Sequence, residues 1–257
     1  MGIETTRVDA IATLTLRSAD GLNVADPATL EELRAGLDSL AGDRAVRAVV
    51  LTGAGDRAFC AGADIRYMST LDREGAAAWS RLGHEAARLL EQMPKVSIAA
   101  INGLALGGGC ELALACDLRY ASSDARLGQP EVNVGIMPGW GGTQRLARAT
   151  TPAFAKELIL TGRLVDAAEA LERGLVSGVA DPVLDRALEA ARLVVAKGPN
   201  SIAEAKRLCN ATLQGELSEG LDEEVQAFSS LFDGVEAHEG LRAFLEKREP
   251  DYSGDGR

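Results

Sequence analysis

Ile101-Asn102-Gly103-Leu104-Ala105-Leu106-Gly107-Gly108-Gly109-Cys110-Glu111-Leu112-Ala113-Leu114-Ala115-Cys116-Asp117 is the stretch on which the reading of this 257-residue chain turns. An apolar run at 96–101 leads into it and reads as a buried strand. Three consecutive glycines then precede an apolar helix over 110–116. Glycines there strip a helix N-terminus of side chains, so backbone N–H groups face open space at the positive end of the dipole. Such a place holds a phosphate or a developing oxyanion. A glycine run alone equally describes a flexible loop. A P-loop needs Lys-Ser/Thr after its last glycine, but Cys110-Glu111 follows, and no G-x-G-x-x-G stands in register. Glu111 would repel a phosphate, so the carbonyl-oxyanion reading survives. A first-turn Glu gains about 0.3–1 kcal/mol from the dipole. Amid Cys-Leu-Ala-Leu-Ala-Cys, however, a carboxylate needs a partner or has a raised pKa, which marks Glu111 as functional.

Working outward, residues 8–16 alternate like a half-buried strand, and Asp26-Pro27 reads as an N-cap and first helical position opening a helix to about residue 40. Residues 45–52 form a buried strand, a glycine-dense loop fills 53–65, and 74–92 is a long helix ended by Pro94. Residues 118–121 read as a strand. After Gly142 the chain becomes helix after helix, at 143–149, 153–160, 166–173, 184–197, 201–213, 219–232 and 239–247. The expectation is an α/β core over 1–196 with a helical region over 197–257, whose apolar faces suit an oligomer interface.

Composition narrows the function. The formal charge of −11 argues against non-specific nucleic-acid binding and against an anionic-membrane anchor. No signal-peptide pattern opens the chain and no apolar run has transmembrane length. The four cysteines form no CxxC pair and have no histidine cluster, so neither a metal site nor a disulfide framework is expected. Reduced thiols fit a cytoplasmic protein.

A second Gly/Pro-dense stretch, Leu127-Gly128-Gln129-Pro130-Glu131 onward to Arg145-Leu146, is apolar enough to be packed, although Glu131 by itself reads as a surface residue of that loop. Only His84 and His238 are present, and no G-x-S-x-G elbow exists, which disfavours a Ser-His-Asp hydrolase. Two carboxylates without histidine ligands point to proton transfer by general acid and base.

Three ordered motifs, Ala58-Phe59-Cys60-Ala61-Gly62-Ala63-Asp64-Ile65, Asn102 through Leu112, and Gly128-Gln129-Pro130-Glu131 through Leu146, resemble the enoyl-CoA hydratase/isomerase (crotonase) family. The likeness runs through to Glu239–Arg248. It implies a ClpP-like spiral of β-β-α units with a C-terminal helical region that builds homotrimers, often paired into hexamers. It implies an oxyanion hole from the N–H groups of Ala63 and Gly108. Glu111 would position and deprotonate a water at Cβ, and Glu131 would deliver a proton to Cα. The reaction would be reversible syn addition of water to a trans-2-enoyl-CoA. No cofactor is expected, since coenzyme A is part of the substrate.

The resemblance places Asp64, Ile65 and Arg66 beside the CoA, with Phe228 and Lys247 reaching it from a neighbouring subunit. Arg57, Arg66 and Lys247 are candidates for the CoA phosphates. Asn23-Val24-Ala25-Asp26-Pro27 departs from the family's usual Asn-Ala-Leu-Asn, and Trp140 stands where smaller residues are common, which would shorten the acyl pocket. An isomerase using the second glutamate alone, or another acyl-CoA chemistry of the family, stays open. The family's RNA-binding members carry basic helices, against which the −11 charge speaks.

Overall fold

A computed structural model describes residues 2–212 and 215–252; Leu213, the expected end of one helix, lies outside them. The single strand expected at 8–16 is half of an antiparallel hairpin, β1 (Gly2–Val8) and β2 (Ile11–Arg17), turning where Asp9 takes a left-handed φ of 53°. β1 is an edge strand whose Glu4, Thr5, Thr6 and Arg7 are exposed, so its sequence carries no apolar alternation. Asp26 caps α1 (Pro27–Gly42) as expected, accepting from the Thr29 N–H.

Three rounds of strand, strand and helix follow. The first is β3 (Ala48–Gly53), β4 (Ala58–Cys60), α2 (Ile65–Met68) and α3 (Arg73–Gln92). The second is β5 (Val96–Ile101), β6 (Leu104–Leu106) and α4 (Gly108–Ala115). The third is β7 (Leu118–Ala121), β8 (Arg126–Gly128), a 3-10 turn at Pro130–Val134 and α5 (Gly142–Ala149). Beyond lie α6 (Pro152–Thr161), β9 (Leu164–Asp166), α7 (Ala167–Glu172), β10 (Gly178–Val179), α8 (Val183–Val195), α9 (Pro199–Ala211), α10 (Leu217–Ser230) and α11 (Val235–Glu246).

Each round gives its first strand to a six-stranded sheet, β1-β2-β3-β5-β7-β10, and its second to a four-stranded sheet, β4-β6-β8-β9. Apart from the β1–β2 and β8–β9 pairs, the strands run parallel. This is the β-β-α spiral. β4, β6 and β8 fall inside segments that the residues alone describe as loops or leave unassigned. Strands of three residues are too short to show an alternation.

β3 and β5 read as continuous apolar runs because both faces are covered. Val49, Leu51, Ala99 and Ile101 join the cluster under α1 and α3, while Ala48, Val50, Ile98 and Ala100 face Ala187, Ala190 and Ala191 of α8. Lys206 of α9 ties the helical region to this core, donating to the carbonyls of Leu90 and Lys95 and pairing with Asp117 at 2.8 Å. Beyond it, α10 and α11 expose Leu221, Val225, Phe228, Leu241, Phe244 and Leu245.

One close approach sets the site. At Gly109 a Cβ would overlap the Cys60 carbonyl, so the N-terminus of α4 lies directly on β4. Gly109→Ala is therefore expected to cost about 1–3 kcal/mol, read as a lower urea midpoint at unchanged slope.

Candidate active site

The β4–α2 bend and the start of α4 face each other across a cavity of about 790 Å³. Ala63, Ile65, Gly108, Glu111 and Glu131 all line it, together with Met68, Leu71, Trp79 and Met137. Its wall is mainly apolar, as suits an acyl chain.

Two backbone N–H groups are placed to serve as donors. In the short parallel bridge between Ala25 and Ala63, Gly62 O accepts from Ala25 and the Asp64 N–H donates to Ala25 O, both at 2.8 Å. The Ala63 N–H between them takes no part in that bridge. Gly107, at φ 51° and ψ −121°, is a backbone state that glycine tolerates, and it delivers the chain into α4. Gly108 then occupies the first helical position, where an N–H has no acceptor within its own helix.

Glu111 lies one turn further along α4 and is 1% exposed. Its Oε1 accepts the N–H groups of Trp140 at 2.7 Å and Gly142 at 2.6 Å. Burial raises its pKa, and these two donors oppose the rise by favouring the charged form. Sequence alone placed Glu131 on the surface. It sits instead in the 3-10 turn with its carboxyl against Gly107, where a Cβ would come within 3.0 Å of Oε1. The buried Gln129 amide, in the orientation that satisfies its neighbours, donates to Glu131 Oε1 at 2.9 Å and Oε2 at 3.3 Å. Burial pushes Glu131 up to about 7, with the negative charge of Glu111 adding to the rise.

Trp140 packs edge-on against Trp79, ring centres 5.1 Å apart, and Trp79 in turn against Tyr67 at 5.3 Å. The indole fills the space over Gly108 and Gly83, where a Cβ would overlap it.

The remaining expected residues sit elsewhere. Asp64 is outside the cavity lining, its carboxylate capping α2 through the N–H groups of Arg66 at 2.8 Å and Tyr67 at 3.3 Å. Arg66 is exposed on α2, also outside the lining. Phe228 on α10 and Lys247 at the end of α11 are exposed and outside the cavity of their own chain. Sequence reasoning missed Gln129, although its place two residues before Glu131 was the available signal. Trp79 and Ser80, also in the lining, lie on a helix face with no local signature. Among the described residues no cluster of His, Cys, Asp or Glu is arranged to hold a metal ion. Among them, too, no helix is long and apolar enough to cross a membrane.

Paired N–H donors and two carboxylates around one apolar cavity are the groups that enolate stabilisation with proton transfer beside it requires. The profile of the enoyl-CoA hydratase/isomerase family matches residues 6–255, and the chain belongs to that family. It is 39% identical over 246 residues to the crotonyl-CoA hydratase of Syntrophomonas wolfei, covering 95% of each chain. It is 41% identical to the short-chain-enoyl-CoA hydratase of Clostridium acetobutylicum, covering 93% of this chain and 92% of that one. The crystal structure of an enoyl-CoA hydratase from Bacillus anthracis superposes with a TM-score of 0.95 at 39% identity, over 99% of this chain and 100% of that one.

An acid whose folded pKa exceeds its unfolded value weakens the fold as pH climbs from the carboxylate range to about 7, and by a constant amount beyond. Glu131→Gln is expected to raise Tm at pH 8 by about 2–4 °C or more, with no gain at pH 4, in thermal melts at the two pH values.

Proposed function

We propose that the protein is an enoyl-CoA hydratase that adds water reversibly to trans-2-enoyl-CoA thioesters. The observation that carries this reading is the convergence of Ala63, Gly108, Glu111 and Glu131 on one cavity. The thioester carbonyl accepts the N–H groups of Ala63 and Gly108, which stabilise the enolate oxygen that forms as Cβ is attacked. Removing one such donor typically costs about 10²–10³ in rate. Two N–H donors favour the charged form of Glu111 against the pull of burial, which fits it to take a proton from the attacking water. Glu131, titrating near neutrality, carries the proton that Cα receives. An isomerase would need only one of these acids. The reading requires no cofactor, because the coenzyme A arrives as part of the substrate.

Arg57 and Arg66, both exposed, are suited to the CoA phosphates, and Lys247 reaches them from a neighbouring copy. Ile65 lies against the thioester arm, with Asp64 holding the bend that presents it. The apolar residues left open on α10 and α11 support assembly into homotrimers, in which Phe228 meets the nucleotide of the adjacent site. The cysteines, with Cys60, Cys110 and Cys116 buried as free thiols, fit the cytoplasm.

Purified protein is expected to consume crotonyl-CoA, followed as loss of the conjugated enoyl-thioester absorbance; no turnover over a panel of chain lengths refutes the reading. Glu111→Gln and Glu131→Gln should each lower kcat by about 10²–10⁴ with little change in KM. A Glu111→Gln enzyme with wild-type kcat would favour the isomerase. The pH profiles carry a sign. Hydration needs Glu131 protonated, so kcat/KM should fall as pH rises through about 7. Dehydration needs it ionised and should rise over the same range, in initial-rate assays run from each side.

A further inference from the structure

The segment that holds Glu111 is itself held from outside, one carbonyl at a time. Glu111 Oε1 receives the Trp140 and Gly142 N–H groups, which belong to the Gly139–Trp140 and Gly141–Gly142 peptides. The carbonyl of the first, Gly139 O, accepts Ser80 Oγ from α3 at 2.6 Å. The middle carbonyl, Trp140 O, accepts Arg145 Nη1 at 2.8 Å. The third, Gly141 O, accepts the N–H groups of Gln144 at 3.0 Å and Arg145 at 2.8 Å. A peptide plane is rigid, so fixing its oxygen fixes the direction of its N–H. Hydrogen bonds chained through one peptide also polarise one another.

Arg145 is anchored in turn. Its Nη2 pairs with Glu91 Oε2 at 3.0 Å, with the Arg145 side chain 14% exposed. Its guanidinium lies so flat on the loop that a Cβ at Gly141 would overlap Nη1. The charged and titratable groups around Glu111 are Arg145 from α5, Glu131 from the 3-10 turn and Cys110 on α4. On the far side of Arg145, Glu91 of α3 pairs with it and His84 of α3 feels its positive charge.

We propose that Ser80 and Arg145 are positioning residues that aim Glu111, Ser80 by gripping a peptide that donates to it and Arg145 by gripping the peptide between the two donors. The role in turnover rests on the hydratase reading. The grip itself is a property of the folded chain and is tested separately. Ser80 acts on one donor peptide only. Arg145 acts on the peptide between the two donors and adds a positive charge.

The test uses the full-length protein as wild type, Ser80→Ala, Arg145→Met and Arg145→Lys. Two readouts are taken: steady-state kinetics with crotonyl-CoA, and the Glu111 carboxyl titration by NMR of protein carrying 13C-labelled glutamate, assigned with Glu111→Gln. The expected result is a kcat lower by about 10-fold in Ser80→Ala and about 10²-fold in Arg145→Met. KM should stay within about threefold. The Glu111 midpoint should move upward in both variants, because each loses support for the charged form. Arg145→Lys, which keeps the charge without the planar fork, should return the midpoint most of the way while kcat stays low. Combining Ser80→Ala with Arg145→Met should cost less than the product of the two, since both act on one segment.

A folded variant with wild-type kcat and an unmoved Glu111 titration overturns the proposal. So does a raised KM at unchanged kcat in Ser80→Ala, which would make Ser80 a substrate contact. If Arg145→Met does not fold, Ser80→Ala, which deletes one hydroxyl from a half-buried position, decides the matter by itself. The titration needs no turnover. A wild type inert towards every enoyl-CoA but with a shifted Glu111 midpoint in the variants would fail the hydratase reading and leave the grip standing.

Discussion

A carboxylate taken out of water needs donors in place of that water to favour its charge, and Glu111 has two N–H groups on one oxygen. Those donors belong to a loop some thirty residues further along the chain, so the acid is a product of tertiary structure. The helix that carries it must start against β4, which requires Gly109. The loop that serves it must lie over the end of the cavity, which requires α3 and α5 to hold it there. Much of the second and third rounds of the spiral is arranged around that one charge.

The second carboxylate shows what a different setting does to the same chemical group. Glu131 has an amide partner in Gln129 and a glycine backbone beside it, and it faces the negative charge of Glu111. Burial raises both acids, but at Glu111 two N–H donors favour the charged form, whereas at Glu131 burial and the neighbouring charge push the carboxyl up to about 7. That separation is the usual means by which two like groups divide acid and base roles.

The helical half of the fold was legible because its signals are local: Asp26-Pro27 opens α1, Pro94 follows the end of α3, and glycine turns separate the later helices. The motif glutamates and the glycines beside them were legible for the same reason. What escaped is what depends on neighbours distant in sequence. Strands of three residues become strands only when β6 lies between β4 and β8. The edge strand β1 has no apolar face to display. Glu131 read as a surface residue because its burial comes from packing against Gly107 and Gln129. Ser80 looks like any polar residue on an amphipathic helix, and nothing nearby in sequence says that a glycine carbonyl from the far loop will meet it. Asp64 was read with the substrate stretch, yet its carboxylate is engaged in starting a helix.

Trp140 binds three positions to one history. The indole occupies room that exists only because residue 83 on α3 and residue 108 on α4 lack side chains. A lineage that enlarges the pocket by first shrinking residue 140 removes the overlap that now bars a methyl group at both glycines. Once either does, the ring has nowhere to return to, and the original pocket is closed to single substitutions. Pocket shape in this chain thus evolves like a ratchet, with the order of changes deciding which acyl specificities stay within reach.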